Sequence, residues 1–149
     1  MDSQRIEIQQ IDPAAYQPMF AMEKYIRAGI LGENLLALIK LRASQINGCA
    51  YCLDMQAREG REAGVSQRSM DVLTGWHEAK ELYSAREQAA LALTEAVTLI
   101  SKNGVSRQVW DFVKDKFFEQ ETVELLMAIS AINVWNRLAI ATHQALPNP

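Results

Sequence analysis

The chain has 149 residues, 49% of them apolar and 22% charged, with a net charge of −3. That balance is ordinary for a globular protein, and the length suffices for one domain with a real core. The mild acidity, with no Lys/Arg cluster on any predicted helix, argues against nucleic-acid binding. No apolar run approaches the roughly 18–20 residues of a membrane span, and Met1-Asp2-Ser3-Gln4-Arg5 leads into no signal-peptide core, so a cytoplasmic location is expected.

The elements follow in chain order, and nearly all read as helices. Residues 1–11, with the alternation Arg5-Ile6-Glu7-Ile8-Gln9, are expected to form a short extended arm. Asp12-Pro13 is a cap followed by Pro in the first turn, opening a helix into Tyr16. A further helix is expected over 19–29, closed by Gly29. Residues 34–45 carry Leu35, Leu38, Ile39 and Leu41 on a helical face. Asn47-Gly48 breaks the pattern, and Asn47 is the expected N-cap of a helix that stops at Gly64. Ser66 caps the next helix, which ends near Gly75. Ser84-x-x-Glu87 is a capping box before a helix over 89–101, and Ser106 caps another after the Asn103-Gly104 turn. The last helix, about 121–142, is apolar on nearly every side, so it should be central or covered by another subunit. Ser130, Asn133 and Arg137, with Asn136 beside them, form a narrow polar stripe on it. These groups either satisfy neighbouring polar groups or line a cavity facing the cysteines. The expected architecture is an all-α, compact helical bundle.

Cys49 and Cys52 are the only cysteines. Placed at a helix start, they share one face, where the helix N-terminus favours a thiolate over a thiol. A thiolate attacks a peroxide oxygen, and a second cysteine can condense with the resulting sulfenic acid to a disulfide. Three readings of the pair stand open: redox couple, half of a metal site, or inert packing. The metal reading needs two more ligands, and His77 and His143 lie at spacings far from a compact Cys2His2 pattern. No cofactor or metal is therefore expected. A thioredoxin-type domain is disfavoured, because no strand precedes the motif.

The run from Leu38 to Met55, Leu-Ile-Lys-Leu-Arg-Ala-Ser-Gln-Ile-Asn-Gly-Cys-Ala-Tyr-Cys-Leu-Asp-Met, closely resembles the AhpD-like alkylhydroperoxidase branch of the carboxymuconolactone decarboxylase family. The resemblance continues through Gly75-Trp76-His77-Glu78 and residues 85–91, and closes with Ala131-Ile132-Asn133-Val134-Trp135-Asn136-Arg137-Leu138. It implies an all-helical homo-oligomer, a trimer or hexamer and in some members a dimer. It also implies reduction of a hydroperoxide at Cys52, closure of the disulfide by Cys49, and recovery by a cellular dithiol reductant. The family's redox motif has two further members, a glutamate and a histidine read as a proton relay. Here their places hold Ala37 and Gln56. Ala37 cannot move a proton, and Gln56 can hydrogen-bond but not titrate. Glu33, one turn before Ala37, and His77 are candidate substitutes, and Gln56 is a candidate for orienting a thiolate or substrate. Tyr51 reads as a packing residue. Two other functions stay open: a non-catalytic oligomeric binding protein with a degenerate site, and lactone decarboxylation, which requires no C-x-x-C pair.

Overall fold

The computed structural model describes residues 3–148, and every regular element among them is helical. Helices α1 (Ile8–Ile11), α2 (Gln17–Arg27), α3 (Glu33–Asn47), α4 (Ala50–Glu62) and α5 (Gln67–Asp71) form the first half. Helices α6 (Ala85–Thr98), α7 (Ile100–Asn103), α8 (Arg107–Lys116) and α9 (Glu119–Thr142) complete the bundle. Short 3-10 turns at Pro13–Tyr16, Leu73–Glu78 and Lys80–Leu82 link them.

The predicted signals act where expected at several ends. Ser84 accepts the Glu87 N–H while Glu87 Oε1 accepts the Ser84 N–H, a closed capping box. Ser66 and Ser106 cap α5 and α8 through the N–H groups of Ser69 and Val109. Gly64 adopts φ +86° after α4, the left-handed position that glycine takes without a Cβ clash. The helix expected from Ser66 to Gly75 divides instead at Val72, whose non-helical angles end α5 and lead into the 3-10 turn from Leu73, itself kinked at Gly75. The helix after Ser84 likewise divides at Leu99 into α6 and α7.

The arm expected over 1–11 differs too. Residues 8–11 close one helical turn, α1, and the preceding segment is fixed by the Arg5 N–H, which donates to the Thr142 carbonyl at 2.8 Å. Met1 and Asp2 fall outside the described residues. Gly29 does not close α2, which ends at Arg27. It is small for a different reason: a Cβ there would overlap the Glu124 carboxylate, whose Oε1 accepts the Ile30 N–H at 2.8 Å.

Two apolar clusters flank α3. Leu35, Leu36 and Ile39 pack with Ile26, Leu93, Leu125 and Ile129 on one side. Leu38 and Leu41 pack with Leu73, Trp76, Tyr83 and Leu91 on the other. Helix α3 is therefore buried continuously from Leu35 to Leu41, and it shares the centre with α9. By length and composition α9 is apolar enough to cross a membrane, more so than its sequence suggested. Here it buries Leu125, Ile129 and Ile132 in the bundle and carries the buried carboxylates Glu121 and Glu124. Its opposite side leaves Val123 and Val134 exposed.

Candidate functional site

The chain reverses between α3 and α4 at the cysteine pair. Gly48 takes the left-handed conformation (φ 70°, ψ 35°) that ends α3, and Cys49 follows in extended conformation. Cys49, not Asn47, is the N-cap of α4: its Sγ accepts the Cys52 N–H at 3.3 Å. Asn47 is already the last residue of α3, and its side-chain amide is engaged by Asn133 and Asn136. The cysteines are joined in a disulfide with their Cα atoms 5.3 Å apart, inside the range such bonds require. Both are buried, against Ala139 and Tyr51.

Cys52 lines a cavity of about 410 Å³, and Cys49 does not. Aromatic side chains from four elements form much of its wall: Tyr16, Phe20, Trp135 and Tyr51. The Tyr16 ring sits edge-on to Trp135 at 5.1 Å and to Phe20 at 5.9 Å between centroids. Burial, and then the neighbouring Tyr51, push the Tyr16 hydroxyl above its usual range. It therefore serves as a neutral phenol rather than a base.

One end of the cavity is charged. Lys40, buried within the apolar run of α3, donates from Nζ to Glu23 Oε2 at 3.3 Å. Glu23 is held from its other oxygen by Trp135 Nε1 at 3.1 Å. Arg27 lies 3.9 Å from Glu23 and 3.5 Å from Glu59, both on the cavity lining. Gln56 is 6% exposed, and its Oε1 has no hydrogen-bond partner among the described residues. A buried carbonyl left this way costs about 1–3 kcal/mol, so its retention points to a ligand or water that donates to it.

A second cavity, about 180 Å³, adjoins the first and shares Arg27, Lys40, Gln56 and Glu59 with it. Ala37 and Glu33 line this second space only. Glu33 thus approaches Gln56 and Lys40 but is absent from the cavity that holds Cys52. His77 is in neither. Its ring stacks on Trp76 and its Nε2 pairs with Glu95 Oε1 at 2.8 Å, while the side chain stays 58% exposed. His77 as a substitute relay is therefore corrected: Glu95, itself held by Arg42, keeps it on another face. His143 ends α9 in left-handed conformation, is exposed, and lines neither cavity.

The polar stripe of α9 turns out to be internal wiring. Asn133, Asn136 and Arg137 bond to one another or to Asn47, Ser44 and Thr98, and none of them lines either cavity. Ser130 is exposed. Sequence reading missed Glu23, Lys40 and Trp135. Lys40 alone had a visible signal, a lysine inside a helical stretch otherwise apolar from Leu35 to Leu41.

The model of the carboxymuconolactone decarboxylase family matches residues 13–96. The uncharacterized protein YdfG of Bacillus subtilis is 37% identical over 139 residues, 93% of this chain and 94% of its own. A crystal structure from Agrobacterium tumefaciens superposes with TM-score 0.94 at 35% identity, covering 99% of this chain and all of that one. It is a protein of unknown function provisionally called an antioxidant defence protein AhpD. The debrominase Bmp8 bound to 2,3,4-tribromopyrrole shares the fold at TM-score 0.83 and 18% identity, over 93% of this chain and 74% of its own.

Proposed function

The chain belongs to the carboxymuconolactone decarboxylase family, in its AhpD-like branch, and from that premise we propose that it is a cysteine-based peroxidase. The observation that carries the reading is the unequal placement of the two sulfurs. Cys52 lines the aromatic cavity, whereas Cys49 sits behind it as the cap of the same helix turn. Cys52 is then the attacking thiol and Cys49 the resolving one.

In the proposed cycle the Cys52 thiolate attacks the terminal oxygen of a hydroperoxide, forming an S–O bond as the O–O bond breaks. The sulfur loses two electrons to the peroxide, and the alkoxide leaves and takes up a proton as the alcohol. Cys49 then attacks the sulfenic sulfur, the disulfide forms, and the hydroxyl departs as water. A dithiol reductant exchanges with the disulfide and restores both thiols. The Gln56 carbonyl, free in the cavity wall, accepts the hydroperoxide O–H and aligns the O–O bond. A cytoplasmic location, where thiols are kept reduced, suits this cycle, and residues 1–149 act in it as one domain.

Peroxide consumption driven by a dithiol reductant tests the reading. Cys52→Ser should abolish turnover, and Cys49→Ser should stall after one oxidation with a sulfenic acid at Cys52. Equal rates in wild type and Cys52→Ser would overturn it.

The same reading includes a homo-oligomer. Phe118 is 81% exposed and Val123 49%, with Val134 further along α9 also open, an apolar edge that an assembly would cover. Sedimentation at micromolar concentration should give a species heavier than the 16.7 kDa chain; a monomer would contradict this part.

A further inference from the structure

Resting on the peroxidase reading, we propose that Lys40, oriented by Glu23, is the acid that protonates the oxygen leaving from the substrate at Cys52. Three independent features converge on it. First, Lys40 is 5% exposed in the middle of the most buried stretch of α3. Removing an ammonium from water in this way is expensive even when it is paired, and an apolar residue would fill the position without that expense. Second, Glu23 is its only hydrogen-bond partner among the described residues, so N–H donors remain for a molecule in the cavity that Lys40 lines together with Cys52. Glu23 is fixed in turn by Trp135, a wall of the same cavity. Third, the unpartnered Gln56 carbonyl lines both cavities, as Lys40 does.

The two groups complement a hydroperoxide. Gln56 accepts from its O–H, and Lys40 donates to the oxygen that bears the organic group. As Cys52 sulfur bonds the terminal oxygen, the O–O electron pair moves to the inner oxygen, which takes a proton from the Lys40 ammonium and leaves as the alcohol. The neutral amine recovers a proton from solvent through the second cavity, whose rim holds the exposed Glu33 and Glu62. Glu23 acts through Lys40 and is a positioning residue.

The decisive experiment compares two oxidants in a single turnover of the reduced protein: tert-butyl hydroperoxide, whose alkoxide needs a proton to leave, and peracetic acid, whose carboxylate leaves without one. Sulfenic acid formation is followed in the Cys49→Ser background, with iodoacetamide alkylation of Cys52 as a check on the thiol. Lys40→Met should slow the hydroperoxide reaction by about 10²-fold, the low end of general-acid effects, and affect the peracid far less. Lys40→Arg, which keeps charge and hydrogen bonding but does not release a proton, should show the same selective loss and guards against a folding defect in the methionine variant. Glu23→Gln should shift the ratio of the two rates in the same direction. A ratio left at its parent value by Lys40→Met and Lys40→Arg overturns the proposal, because a purely structural or thiol-directed role slows both oxidants alike. A parent protein that neither oxidant converts to the sulfenic acid overturns the peroxidase reading itself.

Discussion

Ala37→Glu combined with Gln56→His should raise the rate of hydroperoxide reduction by about 10²-fold, measured as dithiol-driven peroxide consumption at neutral pH. Lys40, as proposed, gives a proton to the leaving oxygen, but the carboxylates on that wall, Glu23 and Glu59, are paired with Lys40 and Arg27, and no histidine among the described residues lines the cavity to take the thiol proton. The wall contributes a neutral phenol at Tyr16 and an amide at Gln56. A histidine at position 56 would stand one turn after Cys52 and titrate near neutral pH. A glutamate at position 37 would enter the second cavity, about 180 Å³ of polar space that Gln56 also lines. The two substitutions meet there, so their effects should be more than additive, with each single change recovering only a small part. A parent already as fast as the double variant would mean that its own residues complete the relay. A parent with no activity, which the double variant gains, would instead favour a binding protein with a degenerate site.

Asn136→Ala should destabilise the fold by about 3 kcal/mol, read from urea unfolding of the reduced and oxidised protein. Asn136 is fully buried; its Nδ2 donates to Ser44 Oγ at 3.0 Å and its Oδ1 accepts from Asn47 Nδ2 at 2.9 Å. Alanine would strand the buried Ser44 hydroxyl, weaken the Asn47 anchor and open a void. Asn47 would keep only its bond to Asn133 Oδ1. The network ties α9 to the last turn of α3, immediately before Gly48 and Cys49, so the substitution should also loosen the turn that presents the cysteines. Arg137→Ala removes an exposed member of the same network and should cost less than about 0.5 kcal/mol. Equal effects of the two substitutions would contradict the assignment of the buried amide as the keystone.

Much of the fold was legible because helix ends carry local chemistry. Ser66, Ser84 and Ser106 each cap the helix that follows, and the all-α architecture needs only the periodicity of Leu, Ile and Ala. Asn47 misled for a physical reason. Its side chain looks like a cap, but a contact across the bundle to residues 86 and 89 positions away takes it, and the cysteine thiol caps α4 instead. Residues 8–11 also escaped prediction, since a single helical turn has too few positions for periodicity to register. Within the site, Cys49 and Cys52 stood out by their C-x-x-C spacing, and Gln56 entered through the family resemblance, one turn after Cys52. Glu23 and Trp135 were not, because their hydrogen bond joins residues 112 apart in sequence. Their meeting with Lys40 depends on how α2 and α9 pack around α3. His77 failed as a candidate because proximity in a motif says nothing about which face a 3-10 turn presents.

The most direct test of the account is thiol titration of the reduced protein before and after one equivalent of an organic hydroperoxide. The proposed cysteine cycle requires two titratable thiols per chain beforehand, from the only two cysteines, none afterwards, and both again after treatment with a dithiol. Two thiols that persist through the peroxide step would contradict it.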